Sequence, residues 1–166
     1  VHQGALYAGT STYDWTRVFS GEYAPSRVYR YAGGTNWVDC GQVGEMLRIN
    51  CLATYGGKLY AGGDRGLPPP GERQWTGRPY RVYRFDGGTT WSVAGELPAE
   101  RPRNCYPHAM AVHDGKLWVG YPNVWSFDGA RWEFAGTPRG DTPEDQLPRS
   151  EEHTSELQSH SDLVCR

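Results

Sequence analysis

The sequence predicts an all-β fold, a partial β-propeller of about three four-stranded antiparallel blades within a larger ring of about six or seven. One short motif recurs as GALYAG, GKLYAG and GKLWVG, and each copy is followed by a predicted strand pair that contains a tryptophan. Aligned on Trp37, Trp91 and Trp132, or on the leucines of the motif, the copies are offset by about 41 to 58 residues, the range of propeller repeats. The period of an amphipathic helix is absent from this part of the sequence.

The repeats divide residues 1–148 into three predicted blades, at about 1–41, 47–97 and 104–138. Residues 1–6 align with residues 112–117, so the first blade is expected to begin partway through its opening strand. A single sheet cannot bury both of its faces, which is why blades stack and several are needed for stability. We therefore expect this piece alone to expose uncovered sheet faces and to aggregate readily.

Each blade is predicted to contain strands A to D, because alternating apolar and polar residues are bounded by glycine-rich turns. The predicted strands are Arg27–Tyr31 and Asn36–Cys40 in the first repeat, Asn50–Tyr55, Lys58–Gly62, Arg81–Phe85 and Thr90–Ala94 in the second, and His108–His113, Lys116–Gly120, Val124–Phe127 and Arg131–Ala135 in the third. Gly56–Gly57 and Asp114–Gly115 suit the tight turns between strands A and B, which require positive φ.

The motif at Gly57–Gly63, followed by Tyr83 and Trp91, resembles a kelch repeat, as found in galactose-oxidase-type propellers. The first and third repeats depart from the kelch pattern, with Thr10 and Tyr121 in place of the second glycine. The resemblance implies that the glycines close strand B and that the aromatic residues pack between blades, which gives structural roles to Gly9, Trp37, Gly62, Gly63, Trp91, Gly120 and Trp132. The copper-binding set of galactose oxidase has no counterpart in this sequence, so we expect no cofactor.

The residues Asp86, Gly88, Thr90 and Trp91 also resemble the Asp box of sialidase-type propellers, although Arg84 replaces its initial Ser. The third copy keeps Asp128 but is one residue shorter before its tryptophan, and the first copy has Ala32 in place of the Asp. In that family the box is structural. The resemblance therefore implies that Asp86 and Asp128 stabilise their turns rather than act in catalysis.

The end of the chain, Arg149–Arg166, resembles the translation of a common sequencing adapter, and Arg149–Ser159 matches it codon for codon. We interpret this segment as a non-native, disordered tail and exclude it from the fold and from every candidate site. The remaining 1–148 has fifteen basic and fifteen acidic residues and only two lysines. Such a neutral surface predicts no nucleic-acid partner, and no apolar run is long enough to predict a membrane span.

Two connections between strands B and C are much longer than the third, which needs little more than Pro122 and Asn123. Long insertions on a rigid sheet scaffold are often functional. Aromatic rings that stack on a ligand, beside charged groups that bond its polar substituents, suit a glycan or a protein. The binding candidates in the insertions are Tyr13, Asp14, Trp15 and Arg17 in the first, and Trp75 and Arg78 in the second. Alternatively, these side chains fold back and cover the blades.

The linkers that lead into the next strand A are expected at the same edge of the blades, and they contribute Arg48 and Arg103. Sialidases bind the acid group of their sugar with clustered arginines and use a Tyr and Glu pair for catalysis. A resemblance to that family would make these two arginines ligand-binding candidates. Surface arginines of purely structural role are the alternative, and the sequence identifies no catalytic residue.

Outside the tail the chain has three cysteines. A disulfide between Cys40 and Cys51 would connect the two ends of the linker between the first and second repeats. Free buried cysteines are the alternative. His108 and His113 are five residues apart and would lie on opposite faces of a strand, so no metal site is predicted. The aromatic, lysine-poor composition slightly favours a location outside the cytoplasm, while the oligomeric state stays open.

These features favour a non-catalytic binding or interaction module, with a glycan or a protein as ligand at the loop edge of the blades. A sialidase-type glycoside hydrolase and a purely structural propeller are the two alternatives. The sequence favours the absence of enzymatic activity without deciding it.

Overall fold

The computed structural model describes residues 1–11, 25–64, 79–97, 107–120 and 123–138. In these ranges the chain forms β-strands and turns without a helix, which confirms the all-β prediction. The strands are β1 (Tyr7–Gly9), β2 (Arg27–Gly33), β3 (Asn36–Gln42), β4 (Arg48–Tyr55), β5 (Lys58–Asp64), β6 (Tyr80–Gly87), β7 (Thr90–Leu97), β8 (Ala109–His113), β9 (Lys116–Gly120), β10 (Val124–Phe127) and β11 (Trp132–Gly136).

The strands form three antiparallel sheets, each built from strands that follow one another in the chain. Sheet 1 contains β1 to β3, sheet 2 contains β4 to β7, and sheet 3 contains β8 to β11. In this part of the chain the strand bounds match the predicted ones to within a few residues, because glycine-rich turns end the strands as expected. In sheets 2 and 3 strand order follows chain order, as in an up-and-down sheet.

Sheet 1 has three strands, one fewer than predicted for each repeat. The turn that would follow strand A is present at Gln3 and Gly4, whose φ angles of 48° and 73° match those of Asp114 and Gly115 in sheet 3, 48° and 71°. His2 and Ala5 flank this turn and exchange two backbone hydrogen bonds of 2.9 Å. His2 thus marks the position of strand A with a single bridge.

Two hydrophobic cores lie between the sheets. The first joins sheets 1 and 2 and contains Val28, Cys40, Val43, Met46, Ile49, Ala61 and Tyr83. The second joins sheets 2 and 3 and contains Tyr60, Tyr80, Val82, Leu97, Leu117, Val119 and Phe127. Sheet 2 is therefore buried on both faces, and burial of its apolar side chains stabilises both packed pairs.

A tryptophan near the start of the last strand of a sheet is hydrogen-bonded to the last strand of the preceding sheet. Trp91 Nε1 donates to the Cys40 carbonyl at 2.8 Å, and Trp132 Nε1 donates to the Ala94 carbonyl at 3.1 Å. Cys40 and Ala94 are equivalent, since each lies three residues after the repeat tryptophan of its own sheet. At Ala94 the register shifts, because Val82 pairs with Gly95 and Tyr83 with Val93. This bulge leaves Ala94 outside the ladder pairs, where its carbonyl accepts the indole.

Glycines allow close approach of neighbouring sheets. A Cβ on Gly9 would lie 2.4 Å from Ile49 Cγ2, and a Cβ on the equivalent Gly62 would lie 2.6 Å from Pro107 Cβ. A Cβ on Gly95 would lie 2.0 Å from Trp132 Nε1. A side chain at any of these three positions would therefore require a neighbouring side chain to shift.

Candidate functional site

The best-defined candidate site is the edge of sheets 1 and 2 at which both long insertions begin and end. We call it the loop end and define it by Ser11, Arg27, Arg48 and Asp64. Antiparallel order brings the start of β2 and β4 and the end of β1 and β5 to this same edge. The insertions themselves, residues 12–24 and 65–78, lie outside the described ranges.

Thr10 closes the base of the first insertion. Its amide donates to the Arg27 carbonyl at 3.0 Å, and its hydroxyl donates to the same carbonyl at 3.1 Å. The Arg27 amide donates to the Thr10 hydroxyl at 3.0 Å. The two ends of the insertion are thus fixed to one another by three hydrogen bonds, which define a rigid base.

The first residues of β4 connect the bases of both insertions. The Ile49 amide donates to the Thr10 carbonyl at 3.1 Å, and Ser11 forms a bridge with Arg48. On the other side of β4, Arg48 pairs with Asp64 in the register of the sheet. Arg48 therefore lies between Ser11, which precedes the first insertion, and Asp64, which precedes the second.

A buried serine next to the loop end holds the segment before β2 against the segment before β4. Ser26 is fully buried, and its hydroxyl donates to the Leu47 carbonyl at 2.5 Å. The Ser26 amide donates to the Met46 carbonyl at 2.6 Å, and its own carbonyl accepts from Val43 at 3.2 Å. These bonds satisfy the polar groups of a connection that leaves the ladder, so that it can be buried without penalty.

Two ion pairs stand at the starts of β2 and β6. Arg27 binds Asp39 with Nε and a terminal nitrogen, at 3.0 and 2.6 Å from Oδ2, and Arg81 Nε binds Glu96 Oε1 at 2.9 Å. The bond from Arg27, together with the amide of Gly41, lowers the pKa of Asp39. Both pairs are solvent-exposed, so they orient the side chains more than they stabilise the fold.

A cleft near the loop end is too small for a ligand. Its walls are formed by Glu45, Met46, Gly63, Arg81 and Tyr83, and it has room for little more than a water molecule.

The turn aspartates lie at the opposite edge of the sheets. Asp128 Oδ1 accepts from the amides of Ala130 and Arg131, both at 2.8 Å, and these bonds lower its pKa. Asp86 accepts from Arg84 at 3.0 Å, and hydrogen bonds from Ser92 and Arg84 lower its pKa. Lowered values favour the charged carboxylate, which stabilises these turns but is a poor proton donor near neutral pH.

The thiols of Cys40 and Cys51 are both free, so the structure lacks the disulfide considered from the sequence. Cys40 donates to the Val38 carbonyl at 3.6 Å within sheet 1, whereas Cys51 donates to the Gly62 carbonyl at 3.6 Å and lies 3.8 Å from the carbonyl of Pro107, which precedes β8. The two side chains thus pack in different surroundings. Burial raises the pKa of Cys51 to about 12.

Most of the binding candidates lie outside the described ranges: Tyr13, Asp14, Trp15, Arg17, Trp75, Arg78 and Arg103. Arg48 is described, and it is the first residue of β4 rather than part of the preceding linker. Sequence reasoning missed Thr10 and Ser26, which hold the loop end. Their only signal was a small hydroxyl residue next to each end of the first insertion.

Within the described parts of the chain, no cluster of three or more His, Cys, Asp or Glu residues could hold a metal ion. The same parts contain no helix with the length and apolar character needed to cross a bilayer. No protein-family model matches this sequence. A search of curated proteins likewise finds no significant match.

Proposed function

We propose that this chain is a non-catalytic binding module of a kelch-like β-propeller with Asp-box-like turns, which holds a glycan or a protein ligand at the loop end. The observation that supports this most is the position of Arg48 between the bases of the two insertions. Ligand sites commonly combine variable loops with a rigid scaffold.

The scaffold at this edge is rigid where it is described. Backbone hydrogen bonds to a neighbouring segment are formed by Thr10, by Ser26 and by the first residues of β4. The sequences of the two insertions, which begin and end at this base, contain aromatic residues, arginines and an aspartate. Rings that stack on an apolar surface and arginines that bind carboxylates or hydroxyls are what a sugar or a peptide requires.

Three of the described carboxylates are held in their charged form. Asp39, Asp86 and Asp128 all have lowered pKa values, because arginines, hydroxyls or turn amides bind the charged form. A general acid needs the opposite shift, toward neutral pH.

The test replaces each insertion by the short connection of the third repeat. Residues 12–24 in one variant and 65–78 in another are replaced by Pro-Asn, and the proteins are applied to a glycan array and to an array of purified proteins. We expect each replacement to abolish the binding seen with the unaltered chain, and Arg48→Ala to weaken it. Asp128→Ala, at the opposite edge, serves as the control and should bind normally.

Binding that survives both replacements would exclude the loop end as the binding site, whereas an unaltered chain that binds nothing on either array would favour the purely structural propeller. A fluorogenic sialoside is assayed in parallel. Its hydrolysis, lost in Arg48→Ala and kept in Asp128→Ala, would overturn the non-catalytic proposal in favour of the sialidase-type alternative.

A further inference from the structure

A buried histidine lies in the contact between sheets 1 and 2, at the edge opposite the loop end. His2 is 5% exposed. Its imidazole meets the ring of Tyr7 edge to face, with 5.7 Å between the ring centroids. Two backbone hydrogen bonds of 2.9 Å with Ala5 fix its main chain. The imidazole is therefore held between the two sheets rather than in solvent.

Thr54 of β4 joins this histidine to sheet 2. The Thr54 hydroxyl donates to the Val1 carbonyl at 3.0 Å, and its oxygen lies 3.3 Å from His2 Nδ1. A hydroxyl has one hydrogen to donate, so the oxygen accepts from His2 and Nδ1 carries the hydrogen. The lone pair of the neutral ring is then on Nε2, which is the atom that takes up a proton in acid.

The equivalent residues of the other two sheets have different surroundings. His113 of sheet 3 aligns with His2, but its side chain is 72% exposed and its Nε2 lies 3.2 Å from Asp114 Oδ2. In sheet 2 the equivalent residue is Tyr55, whose hydroxyl donates to the Gly115 carbonyl of sheet 3 at 3.0 Å. A phenol does not change its charge in mild acid. At this position, a histidine thus bridges sheets 1 and 2, whereas a tyrosine bridges sheets 2 and 3.

The charges that act on His2 are positive. Burial lowers the pKa of this histidine below its ordinary value of 6.5, and the charges of the amino terminus and of Lys58 lower it further. Arg30 of β2 pairs with Tyr7 in the register of sheet 1, and so lies on the same face of that sheet. A protonated His2 would therefore be a buried cation among like charges, which is unfavourable.

The described carboxylates of sheets 1 and 2 are bound or placed elsewhere. Asp64 pairs with Arg48 in the register at the loop end, and Asp86 lies on the face of sheet 2 that packs against sheet 3. The ion pairs of these two sheets are Asp39 with Arg27, Glu96 with Arg81, and Asp86 with Arg84. None of these carboxylates offsets the lowered pKa of His2.

We propose that His2 makes the contact between sheets 1 and 2 sensitive to mild acid. The neutral imidazole connects the turn at Gln3 and Gly4 to Thr54, and a proton on Nε2 weakens this connection, because no described group accepts the new hydrogen. A released segment takes up the proton at the ordinary histidine pKa, whereas the packed ring takes it up at a lower pH. The contact is thus at full strength above about pH 6.5 and weakens as the pH falls through that value toward the lower pKa of the packed ring. It does not depend on any ligand at the loop end.

The first experiment follows amide hydrogen exchange of the unaltered chain by mass spectrometry between neutral pH and about pH 5. Protection factors are compared, so that the pH dependence of intrinsic exchange is removed. We expect peptides that contain Ala5 and β1 to lose protection severalfold as the pH falls, whereas β9 of sheet 3 keeps its protection. No loss in β1, or an equal loss in β9, would overturn the proposal.

Deuterium uptake at the imidazole Cε1, read in the same way, shows when each histidine becomes protonated. His2 should take up its proton only below the ordinary value of 6.5. Acetylation of the amino terminus removes one of the two positive charges, and the midpoint should still lie below that value because burial is the main cause. A midpoint at or above the ordinary value, in either form of the chain, would contradict the proposal.

Replacement of the histidine separates its proton from other effects of acid. His2→Gln is neutral at every pH, and its side-chain amide can still donate to Thr54. It should abolish the acid-induced loss of protection in β1. His113→Gln is the matched control and should respond to acid as the unaltered chain does. If His2→Gln loses protection as before, another group is responsible and the proposal is wrong.

Variants of Thr54 test the bridge without a change at the histidine. Thr54→Val removes the hydroxyl and should lower the protection of β1 severalfold already at neutral pH. Thr54→Ser keeps the hydroxyl and should retain both the protection and its response to acid. Equal behaviour of the two variants would show that the hydroxyl does not join His2 to sheet 2.

Discussion

The indole of Trp132 lies directly against the backbone of Gly95, and its Nε1 donates to the Ala94 carbonyl at 3.1 Å. The glycine provides the space, and the bulge provides the acceptor. The adjacent pair of sheets has the same hydrogen bond between Trp91 and Cys40. One tryptophan and one carbonyl thus recur at both contacts between sheets.

Replacement of Trp91 by Phe should destabilise the protein by about 1 to 2 kcal/mol. Phenylalanine keeps most of the apolar area but leaves the Cys40 carbonyl without its indole donor in a partly buried contact. Urea unfolding, followed by circular dichroism at low protein concentration, measures the change.

Trp37→Phe is the matched control, because Trp37 is the exposed member of the series. Its free energy of unfolding as a monomer should differ from that of the unaltered chain by less than about 0.5 kcal/mol, as for other surface substitutions. Equal effects of the two replacements would contradict a role for the hydrogen bond.

Gly9→Ala should destabilise the contact between sheets 1 and 2 by about 1 to 3 kcal/mol, the usual cost of overpacking. The new methyl group would lie 2.4 Å from Ile49 Cγ2, a branched side chain within a core. Gly120→Ala is the comparison, since its methyl group would meet Val124 at an ordinary 3.4 Å. Thermal unfolding of the dilute proteins should rank Gly9→Ala well below Gly120→Ala, and the reverse order would contradict the packing.

Much of the fold could be predicted, because local sequence patterns determine the strands and their turns. Tight turns such as Asp114–Gly115 need residues that accept positive φ, and these residues end the strands visibly in the sequence. The bulge at Ala94 and the close approach at Gly95 could not be predicted, since they depend on a tryptophan 38 residues away. The sequence predicted that the connecting loops share one edge of the blades. It could not predict the hydrogen bonds of Thr10 and Ser26 at the loop end, because these bonds join segments distant in sequence.

Asp128→Asn should make stability less sensitive to acid. The amides of Ala130 and Arg131 lower the pKa of Asp128 in the folded state, so the unfolded chain takes up its proton first as the pH falls. That contribution to stability is full above the ordinary aspartate pKa of about 4 and is lost as the pH falls through the lower, folded value. Urea midpoints measured between neutral and acidic pH should fall less steeply for the variant, and parallel curves would contradict the assignment.

Cys51 should resist alkylation in the folded protein. With a pKa of about 12, only about one thiol in ten thousand is ionised at a pH near 8, and the thiolate is the reactive form. Peptide mapping by mass spectrometry after brief iodoacetamide treatment should find Cys51 unmodified in buffer and fully modified in concentrated urea. Rapid modification in buffer would show that the contact with Pro107 opens readily.

The burial of sheet 2 on both faces has a consequence for the order in which the chain opens. Each sheet consists of strands that are neighbours in the chain, so their pairing is local and can form early and rapidly. Among the described residues, sheets 1 and 3 each contribute to one core, whereas opening of sheet 2 disrupts both cores. Amide hydrogens of β5 and β6 should therefore exchange with solvent more slowly than those of the flanking sheets, and the middle sheet should be the last cooperative unit to unfold.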